Sequence, residues 1–360
     1  MSSKTYCVIM AGGIGSRFWP MSRSSKPKQF LDILGTGKTF LRATFERFAP
    51  LVPAENFLVV TNASYKEIVL EQLPELGESQ VLCEPIGRNT APCIAYAAFR
   101  LNNIDPESTM IVTPSDHYIA NESRFHEVIG ECIDFIGNGD AMMTIGIRPD
   151  NPNTGYGYIQ VENDGKNPEG ICKVKTFTEK PDLEMAKVFL NSGEFFWNSG
   201  IFIWNTKTIR TAMRELLPEM YGLFNSISQD YNTTAEGDSI RKIYPECKSV
   251  SIDIGVMEKA RNVWVLCTDF GWSDIGTWSA LYEYSQKEDN GNVTSGDNVL
   301  VNTQNCIIKA PDGKLVMIDG LEDYIVVDRG NVLMICPRSN EQTIKAYVDE
   351  VKFKYGDKFI

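Results

Sequence analysis

The sequence predicts an α/β protein with a mainly parallel sheet, followed by a small all-β module. Apolar runs of strand length alternate with amphipathic helical stretches over about the first 150 residues, a pattern typical of a doubly wound parallel sheet. From about Asn292 the helical periodicity stops, and short β runs separated by turn residues follow. We therefore predict two domains, residues 1–283 and 284–360, with a linker rich in Gly, Asn, Asp and Ser over 284–297.

The first 150 residues supply the elements of the predicted sheet. The predicted strands cover residues 7–11, 57–61, 81–85, 109–114 and 141–147. The predicted helices cover residues 39–48, 64–73, 93–101 and 125–136. In such sheets ligands bind beyond the carboxyl ends of the strands, where both a glycine-rich loop and Asp116 fall.

The following segments are less regular. Strand-like runs cover residues 153–161, 174–180, 195–204 and 263–267, and helical runs cover 183–190, 206–217 and 240–244. We interpret this part as a substrate-shaping insertion. The short β runs of the last segment lie at 299–301, 306–308, 315–318, 324–327 and 332–335, with the spacing of an imperfect β-helix.

Composition excludes several classes of protein. The chain has 35 Lys and Arg against 47 Asp and Glu, a net charge of −12, so its mean field repels nucleic acids and anionic membranes. No apolar stretch approaches the roughly 18 residues of a membrane span, and no signal-peptide pattern is present, so we expect a cytoplasmic protein. The nine cysteines form no C-x-x-C pair and only two histidines accompany them, which argues for core thiols rather than a zinc or iron–sulfur site.

A glycine-rich loop with a basic segment after it follows the first strand. Glycine lets backbone N–H groups approach an anion, and cationic side chains supply the countercharge. Five of the 35 basic residues, and no acidic residue, lie within the first 31 positions. The glycines of the loop are Gly12, Gly13 and Gly15, and the cations of the basic segment are Arg17, Arg23, Lys26 and Lys28. The pattern predicts a phosphate site, whereas a dinucleotide fingerprint would need glycine at Phe18 and a Walker loop would need Gly-Lys-Ser/Thr.

Two aspartates are candidate ligands for a divalent cation. Asp116 follows an apolar strand close to the predicted phosphate loop, and Asp274 lies in the turn-rich segment G-W-S-D-I-G-T-W. Mg²⁺ prefers a few hard oxygens together with substrate phosphates. A turn-capping role for each aspartate is the alternative.

Polar groups at two strand ends suit the recognition of a sugar. Glu179 and Lys180 end one run, and Asn198 comes at the end of an aromatic run. Trp197, Phe196 and Tyr156 could supply flat apolar surface, although aromatic residues at strand spacing more often belong to a core.

Seven motifs follow one another over roughly the first 280 residues. They are residues 8–31, 84–92 (E-P-I-G-R-N-T-A-P), 114–117 (P-S-D-H), 153–159 (N-T-G-Y-G-Y-I), 179–181 (E-K-P), 197–202 (W-N-S-G-I-F) and 272–278 (W-S-D-I-G-T-W). In this order they closely resemble the motifs of the mannose-1-phosphate guanylyltransferases. The resemblance implies a Rossmann-like (GT-A-like) nucleotidyltransferase domain with a mixed, mainly parallel sheet, and a C-terminal left-handed β-helix-like domain.

The resemblance also implies a reaction, in which GTP and mannose 1-phosphate give GDP-mannose and pyrophosphate with Mg²⁺ as cofactor. The C-terminal domain of the family often carries dimer contacts, so a homodimer is one expected assembly. Bifunctional relatives continue into a phosphomannose isomerase domain. Because this chain stops at Ile360, we expect guanylyltransferase activity alone.

Residue roles are carried over from the matching motifs. Arg17 and Lys28 are the expected catalytic cations, and Asp116 and Asp274 the expected Mg²⁺ ligands. The expected nucleotide-binding residues are Gly12, Gly13, Gly15, Ser16, Asn89 and Thr90. The expected mannose-binding residues are Gly157, Glu179, Lys180 and Asn198. Ser16 stands where the commonest form of the loop has Thr, and it keeps the hydroxyl group.

Three alternatives remain at the level of the sequence. The chain could act on another sugar 1-phosphate or another nucleotide. It could be an oxidoreductase that binds a dinucleotide through the glycine loop, against which the basic segment and the missing third glycine count. It could be a regulatory paralogue that only binds sugar nucleotides, against which the intact Arg17, Lys28, Asp116 and Asp274 count.

Overall fold

The computed structural model describes residues 4–13, 15–137, 139–162 and 170–360, and within these ranges nine strands form one mixed sheet. The strands up to Ser273 are β1 (Thr5–Met10), β2 (Phe57–Asn62), β3 (Val81–Glu84), β4 (Thr109–Pro114), β5 (Tyr118–Ile119), β6 (Met142–Ile147), β7 (Tyr158–Val161), β8 (Gly170–Thr178), β9 (Phe195–Asn205), β10 (Val263–Thr268) and β11 (Trp272–Ser273). All except the two-residue strands β5 and β11 belong to the sheet, in the order β3-β2-β1-β4-β9-β6-β10-β8-β7.

The parallel part of the sheet confirms the prediction. β1 pairs in parallel with β2 and β4, and β2 pairs in parallel with β3. Cys7, Val8 and Ile9 are fully buried, as expected for a strand covered on both faces. The carboxyl end of β1 leads directly into the glycine loop.

One central strand has a direction that the sequence did not predict. β9 runs antiparallel to both β4 and β6, between which it lies. Its residues Ile201 to Trp204 are all buried, so its apolar run looks like that of any central strand. Hydrophobic pattern reports burial and carries no information on strand direction.

Ten α-helices lie within the described residues. They are α1 (Phe40–Phe48), α2 (Lys66–Gln72), α3 (Thr90–Ile104), α4 (Glu122–Ile136), α5 (Leu183–Ser192), α6 (Thr206–Leu216), α7 (Pro218–Ser226), α8 (Glu236–Ile243), α9 (Trp278–Tyr284) and α10 (Ile344–Tyr355). α3 is buried continuously from Ala91 to Leu101 and shares one apolar cluster with α6, α7 and the sheet. Of the ten, α7, α9 and α10 were not predicted.

The chain divides into two compact units, each built from segments that are distant in sequence. The first unit contains the chain as far as Gly12, Thr44–Ser115 and Ile119–Trp272, and it includes the nine-stranded sheet. The second contains Gly13–Ala43, Asp116–Tyr118 and Ser273–Ile360. The predicted domain boundary at residues 283/284 stays a prediction, since these units are not consecutive stretches of sequence.

The second unit contains a β-helix-like stack. Its strands are β12 (Val293–Ser295), β13 (Asn298–Val301), β14 (Ile307–Lys309), β15 (Val316–Asp319), β16 (Tyr324–Arg329) and β17 (Val332–Pro337). β12, β14 and β16 pair in parallel, as do β13 and β15, while β17 closes the stack antiparallel to β16. Cys306, Ile308 and Val326 form a small interior cluster. The predicted β module is thus confirmed, and β12 lies inside the predicted linker.

The chain after the β-helix-like stack forms a helix, α10, which the sequence did not predict. α10 buries only Ile344 and Val348, while Phe353 on the same helix is 91% exposed. One buried pair with i, i+4 spacing is too weak a periodic signal to predict a helix.

All nine cysteines are free thiols, and seven of them are buried, which confirms the expectation of core thiols. In the described part of the chain no helix combines the length and the apolar character needed to cross a membrane.

Candidate active site

The turn after Gly13 has a conformation that requires glycine. Gly15 has φ +67° and precedes a single 3-10 turn, Ser16–Phe18. A Cβ at position 15 would lie 2.6 Å from the Cβ of Lys28. Both the left-handed backbone and the close approach therefore exclude a side chain here, and the turn lies directly against Lys28.

Lys28 connects the two candidate metal ligands. Its side chain is buried, and its Nζ donates hydrogen bonds to Asp116 Oδ2 at 2.9 Å and to the backbone oxygen of Asp274 at 2.7 Å. A third, longer bond reaches the backbone oxygen of Asp116 at 3.3 Å. The two aspartates are 158 positions apart in sequence, and the structure brings both to one lysine.

A cavity of about 350 Å³ in the second unit contains these groups. Its lining residues are Gly15, Ser16, Arg17, Phe18, Lys28, Asp116, His117, Asp274, Gly276 and Lys345. Gly12 and Gly13 are exposed residues that precede the turn. Six predicted site residues therefore share one cavity, together with Lys345, which was not predicted.

The charge of Asp116 is fixed by its neighbours. Burial opposes ionisation of this carboxyl, but the Lys28 ammonium and the adjacent His117 outweigh it, so the pKa of Asp116 lies below its ordinary value. Asp116 is therefore a carboxylate at neutral pH, which is the form that binds a cation.

The Asp274 segment is held in an unusual backbone conformation. Ile275 has φ +40° although it is β-branched, and its side chain is fully buried. The N–H of Gly276 donates to Asp274 Oδ1 at 2.8 Å, and a Cβ on Gly276 would lie 2.6 Å from Oδ2. Backbone strain of this kind is concentrated at functional sites.

The donor set of the cavity fits one metal ion. Within the described ranges no group of three or more His, Cys, Asp and Glu side chains could hold a metal. Two aspartates beside the predicted phosphate-binding turn are a ligand set of the kind that Mg²⁺ takes, since Mg²⁺ is usually held by one or two carboxylates and substrate phosphates. The same pair would be a poor site for zinc, which takes three or four nitrogen and sulfur ligands.

The four predicted sugar-binding residues form one cluster in the first unit. The N–H of Asn198 donates to the backbone oxygen of Gly157 at 2.8 Å. A Cβ on Gly157 would lie 2.5 Å from Glu179 Oε2, so this glycine makes room for the carboxylate. Glu179 also pairs with the Nζ of Lys180, whose φ is +48°.

Asp253 belongs to the same cluster and was not predicted. It begins a π-helical turn, Asp253–Met257, and its Oδ1 accepts a hydrogen bond from Asn198 Nδ2 at 2.9 Å. The Thr144 hydroxyl donates to Asn198 Oδ1 at 2.9 Å, which fixes the orientation of the amide. Burial, and then the charge of Glu179, raise the pKa of the Asp253 carboxyl to about 6. Its only sequence signal is an acid inside the apolar run S-I-D-I-G-V-M.

The motif at residues 84–92, which includes the predicted nucleotide-binding residues Asn89 and Thr90, contains a second unpredicted carboxylate. Asn89 has φ +67° and caps α3 by accepting from the N–H of Thr90 at 2.8 Å. Glu84 is 5% exposed, its Oε1 accepts from the Tyr244 hydroxyl, and its Oε2 lies 3.3 Å from the place of a Cβ on Gly12. Burial raises the pKa of the Glu84 carboxyl to about 7, although the Tyr244 hydrogen bond acts in the opposite direction.

The aromatic residues expected beside the sugar are mostly core residues. Phe196 and Trp197 are 1% and 5% exposed. Tyr156 is half-buried, with its ring centroid 5.0 Å from that of Trp197 and 5.1 Å from that of Trp272. Of the three, only Tyr156 offers surface to a ligand.

Comparison with known proteins identifies the family. Residues 6–291 match the nucleotidyl transferase family, and residues 296–351 match the MannoseP isomerase/GMP-like beta-helix domain. The mannose-1-phosphate guanylyltransferase of Escherichia coli is 38% identical over 352 residues, which are 96% of this chain and 73% of that protein. This chain belongs to the mannose-1-phosphate guanylyltransferase family. The alginate biosynthesis protein AlgA of Pseudomonas putida is also 38% identical, over 95% of this chain and 70% of its own length.

Solved structures agree with membership of the mannose-1-phosphate guanylyltransferase family. A Thermus thermophilus protein described as a mannose-1-phosphate geranyltransferase superimposes with a TM-score of 0.86 at 31% identity, covering 97% of this chain and 99% of its own. A Helicobacter pylori protein described as a mannose-6-phosphate isomerase gives 0.60 at 29% identity, covering 75% of this chain and 99% of its own. The predicted fold, a nucleotidyltransferase domain with a C-terminal β-helix-like domain, is confirmed.

Proposed function

We propose that this chain transfers GMP from GTP to mannose 1-phosphate and releases GDP-mannose and pyrophosphate. The observation that carries the proposal is the cavity in which Lys28 joins Asp116 and Asp274 beneath the Gly15 turn. Relatives named mannose-1-phosphate guanylyltransferase, at 37% and 38% identity, supply the substrates.

The chemistry needs no protein nucleophile. A phosphate oxygen of mannose 1-phosphate forms the new bond to the α-phosphorus of GTP, and the bond from that phosphorus to the bridging oxygen of pyrophosphate breaks. Two anions must approach each other, so rate acceleration depends on neutralising and aligning them. Asp116 and Asp274 would hold Mg²⁺, which supplies positive charge to the phosphate oxygens.

Arg17 and Lys28 have different parts in this proposal. Arg17 is exposed at the cavity, and its guanidinium can pair with phosphate oxygens in a bidentate manner. Lys28 already donates to both aspartate segments, so its part is to hold Asp116 and Asp274 in register. The backbone N–H groups of the Gly15 turn add donors for the triphosphate.

The position and chemistry of Glu84 favour guanine as the base of the bound nucleotide. Guanine presents two adjacent N–H donors, at N1 and N2, and the ionised form of the Glu84 carboxyl, whose pKa is about 7, is an acceptor that matches them. The Tyr244 hydroxyl fixes the orientation of Glu84, and its second oxygen lies towards Gly12. We assign base selection to Glu84, next to Asn89 and Thr90.

The sugar would be bound through its hydroxyl groups in the first unit. Glu179, Asn198 and Asp253 provide hydrogen-bond acceptors and a donor, and Lys180 provides a cation close to Glu179. Such a set of fixed polar groups suits a polyhydroxylated ligand.

Pyrophosphate release from GTP, ATP, UTP and dTTP, each with mannose 1-phosphate and with or without Mg²⁺, tests the proposal. We expect release with GTP and Mg²⁺ only. Activity with UTP or dTTP but not GTP would refute the base assignment. No activity with any pair would refute the transfer reaction and favour a protein that only binds sugar nucleotides.

A further inference from the structure

The cavity beside the Gly15 turn is lined by a cation from α10, close to the C-terminus. Lys345, in the first turn of α10, lines the cavity together with Arg17, Lys28, Asp116 and Asp274. Its side chain is exposed, and no ion pair or hydrogen bond to another described residue involves its ammonium group. Position 345 therefore offers a positive charge that the protein itself does not neutralise.

The start of α10 is anchored beside the glycine turn. Ile344, which is fully buried, belongs to the same apolar cluster as Phe18 and Trp19 of that turn. The indole Nε1 of Trp19 donates to the backbone oxygen of Phe359 at 2.8 Å. Contacts on both sides of Lys345 therefore attach this segment to the loop that would bind the phosphates.

The charge of the cavity shows why an additional cation matters. Without Lys345, two cations, Arg17 and Lys28, face two carboxylates, Asp116 and Asp274. The ammonium of Lys28 is already bonded to Asp116 and Asp274. Among the described residues that line the cavity, Arg17 and Lys345 are then the cations whose side chains form no hydrogen bond or ion pair with the protein. A triphosphate carries several negative charges, which one arginine and a metal ion would leave partly unpaired.

We propose that Lys345 is a phosphate-binding residue of the active site, whose ammonium group contacts the β- and γ-phosphates of GTP and the departing pyrophosphate. This inference rests on the proposed nucleotidyl transfer. It gives the C-terminal segment a direct part in substrate binding, in addition to any structural part.

The test compares Lys345→Met, which keeps the apolar stem, with Lys345→Arg, which keeps the charge. The matched control is Lys352→Met on the same helix, because Lys352 is exposed and pairs with Asp357 at 3.0 Å instead of lining the cavity. KM and kcat are measured in the forward direction, and KM for pyrophosphate in the reverse direction from GDP-mannose.

We expect Lys345→Met to raise KM for GTP and for pyrophosphate by at least about tenfold, as for loss of one charge-assisted hydrogen bond. KM for mannose 1-phosphate should change less than about twofold, and Lys345→Arg should restore most of the affinity. Equal effects of Lys345→Met and Lys352→Met, or unchanged KM for both phosphate ligands, would overturn the inference.

Calorimetric binding of inorganic pyrophosphate with Mg²⁺ separates this inference from the proposed function. If the wild-type chain binds pyrophosphate but transfers no nucleotide, the proposed reaction is refuted. The affinity of Lys345→Met for pyrophosphate still tests the proposed phosphate contact. If Lys345→Met binds pyrophosphate as tightly as the wild type, the inference is wrong whatever the reaction. A thermal melt of each variant confirms that the comparison is made between folded proteins.

Discussion

Lys28 and Asp116 form a largely buried ion pair, with Nζ 2.9 Å from Oδ2 and side-chain exposures of 4% and 31%. The same ammonium donates to the backbone oxygen of Asp274, so one cation orients both candidate metal ligands. Removal of either partner leaves a partly buried charge without its counterion, and function and local order should then fail together.

Lys28→Met should lower kcat by a factor of about 10² to 10³, because Asp116 and Asp274 lose the ammonium group that holds them in register and the charges of the site are no longer preorganised. The matched control is Lys26→Met, which removes an exposed lysine from the same basic segment. Steady-state rates with GTP and mannose 1-phosphate measure both, and circular dichroism checks folding. Near-normal turnover by Lys28→Met would remove Lys28 from the mechanism.

Asp116→Asn and Asp274→Asn should each shift the Mg²⁺ dependence to higher concentration. The reason is that both carboxylates line one cavity whose other lining residues include no acid, so a bound metal ion would lose one of two carboxylate ligands in each variant. Rates are measured over a Mg²⁺ titration at saturating substrates, with Asp238→Asn, an exposed residue with the same charge change, as control. If only one of the two variants alters the titration, the aspartates do not share a metal.

Gly15→Ala and Gly276→Ala should both lower activity, for different reasons. At position 15 the methyl group meets Lys28 and the backbone has φ +67°, whereas at position 276 it meets the Asp274 carboxylate. We expect about 1–3 kcal/mol of destabilisation at position 15. Gly130→Ala in α4, where a Cβ meets nothing within 4 Å, is the control and should be neutral or stabilising. Chemical denaturation and kcat/KM measure these effects, and wild-type behaviour of Gly15→Ala would contradict the geometry of the turn.

Asp253 should make mannose 1-phosphate binding depend on pH. Its folded pKa is raised to about 6, so the carboxyl loses its proton as the pH rises through about 6 and becomes a better hydrogen-bond acceptor. KM for mannose 1-phosphate should fall more steeply between pH 5 and pH 7.5 in the wild type than in Asp253→Asn. Since both enzymes use the same substrate, its own phosphate ionisation cancels in the ratio. Parallel pH profiles would show that Asp253 only supports Asn198.

The same carboxyl also gives a stability prediction. Because the folded pKa lies above the ordinary value, the contribution of Asp253 to stability is largest when the group is protonated and is lost as the pH rises through about 6. Stability of the wild type relative to Asp253→Asn should therefore decrease from pH 4 to pH 7. Denaturant midpoints at several pH values measure this, and a change in the opposite direction would contradict the assigned pKa shift.

The sequence predicted those parts of the candidate site that depend on local chemistry. The glycines, the cations after them and the acid that follows β4 are recognisable, because each residue type has a specific use at its place in a strand–loop unit. The meeting of Asp116 and Asp274 at Lys28 depends on tertiary packing, which spacing alone does not determine. The prediction that both aspartates belong to one site came from the sequence resemblance and not from periodicity.

The candidate site residues that the sequence did not predict lacked a local signal. Glu84 and Asp253 lie in apolar stretches of the sequence, and their pKa values are raised only when the fold buries them. Lys345 is one exposed lysine on a helix that periodicity did not predict. Arg23, for which the sequence suggested no specific role, donates to the backbone oxygen of Arg329 at 2.8 Å and to Asn331 Oδ1 at 2.9 Å, and so supports the turn between β16 and β17.

Phosphorus NMR of one reaction mixture tests the central claim most directly. The full chain is incubated with GTP, mannose 1-phosphate and Mg²⁺, and the phosphorus signals are followed over time. We predict that GDP-mannose and inorganic pyrophosphate appear in equal amounts, that GTP and mannose 1-phosphate disappear at the same rate, and that Lys28→Met forms neither product at a comparable rate. Loss of GTP to GDP and orthophosphate, or consumption of GTP without a sugar diphosphate product, would contradict the account.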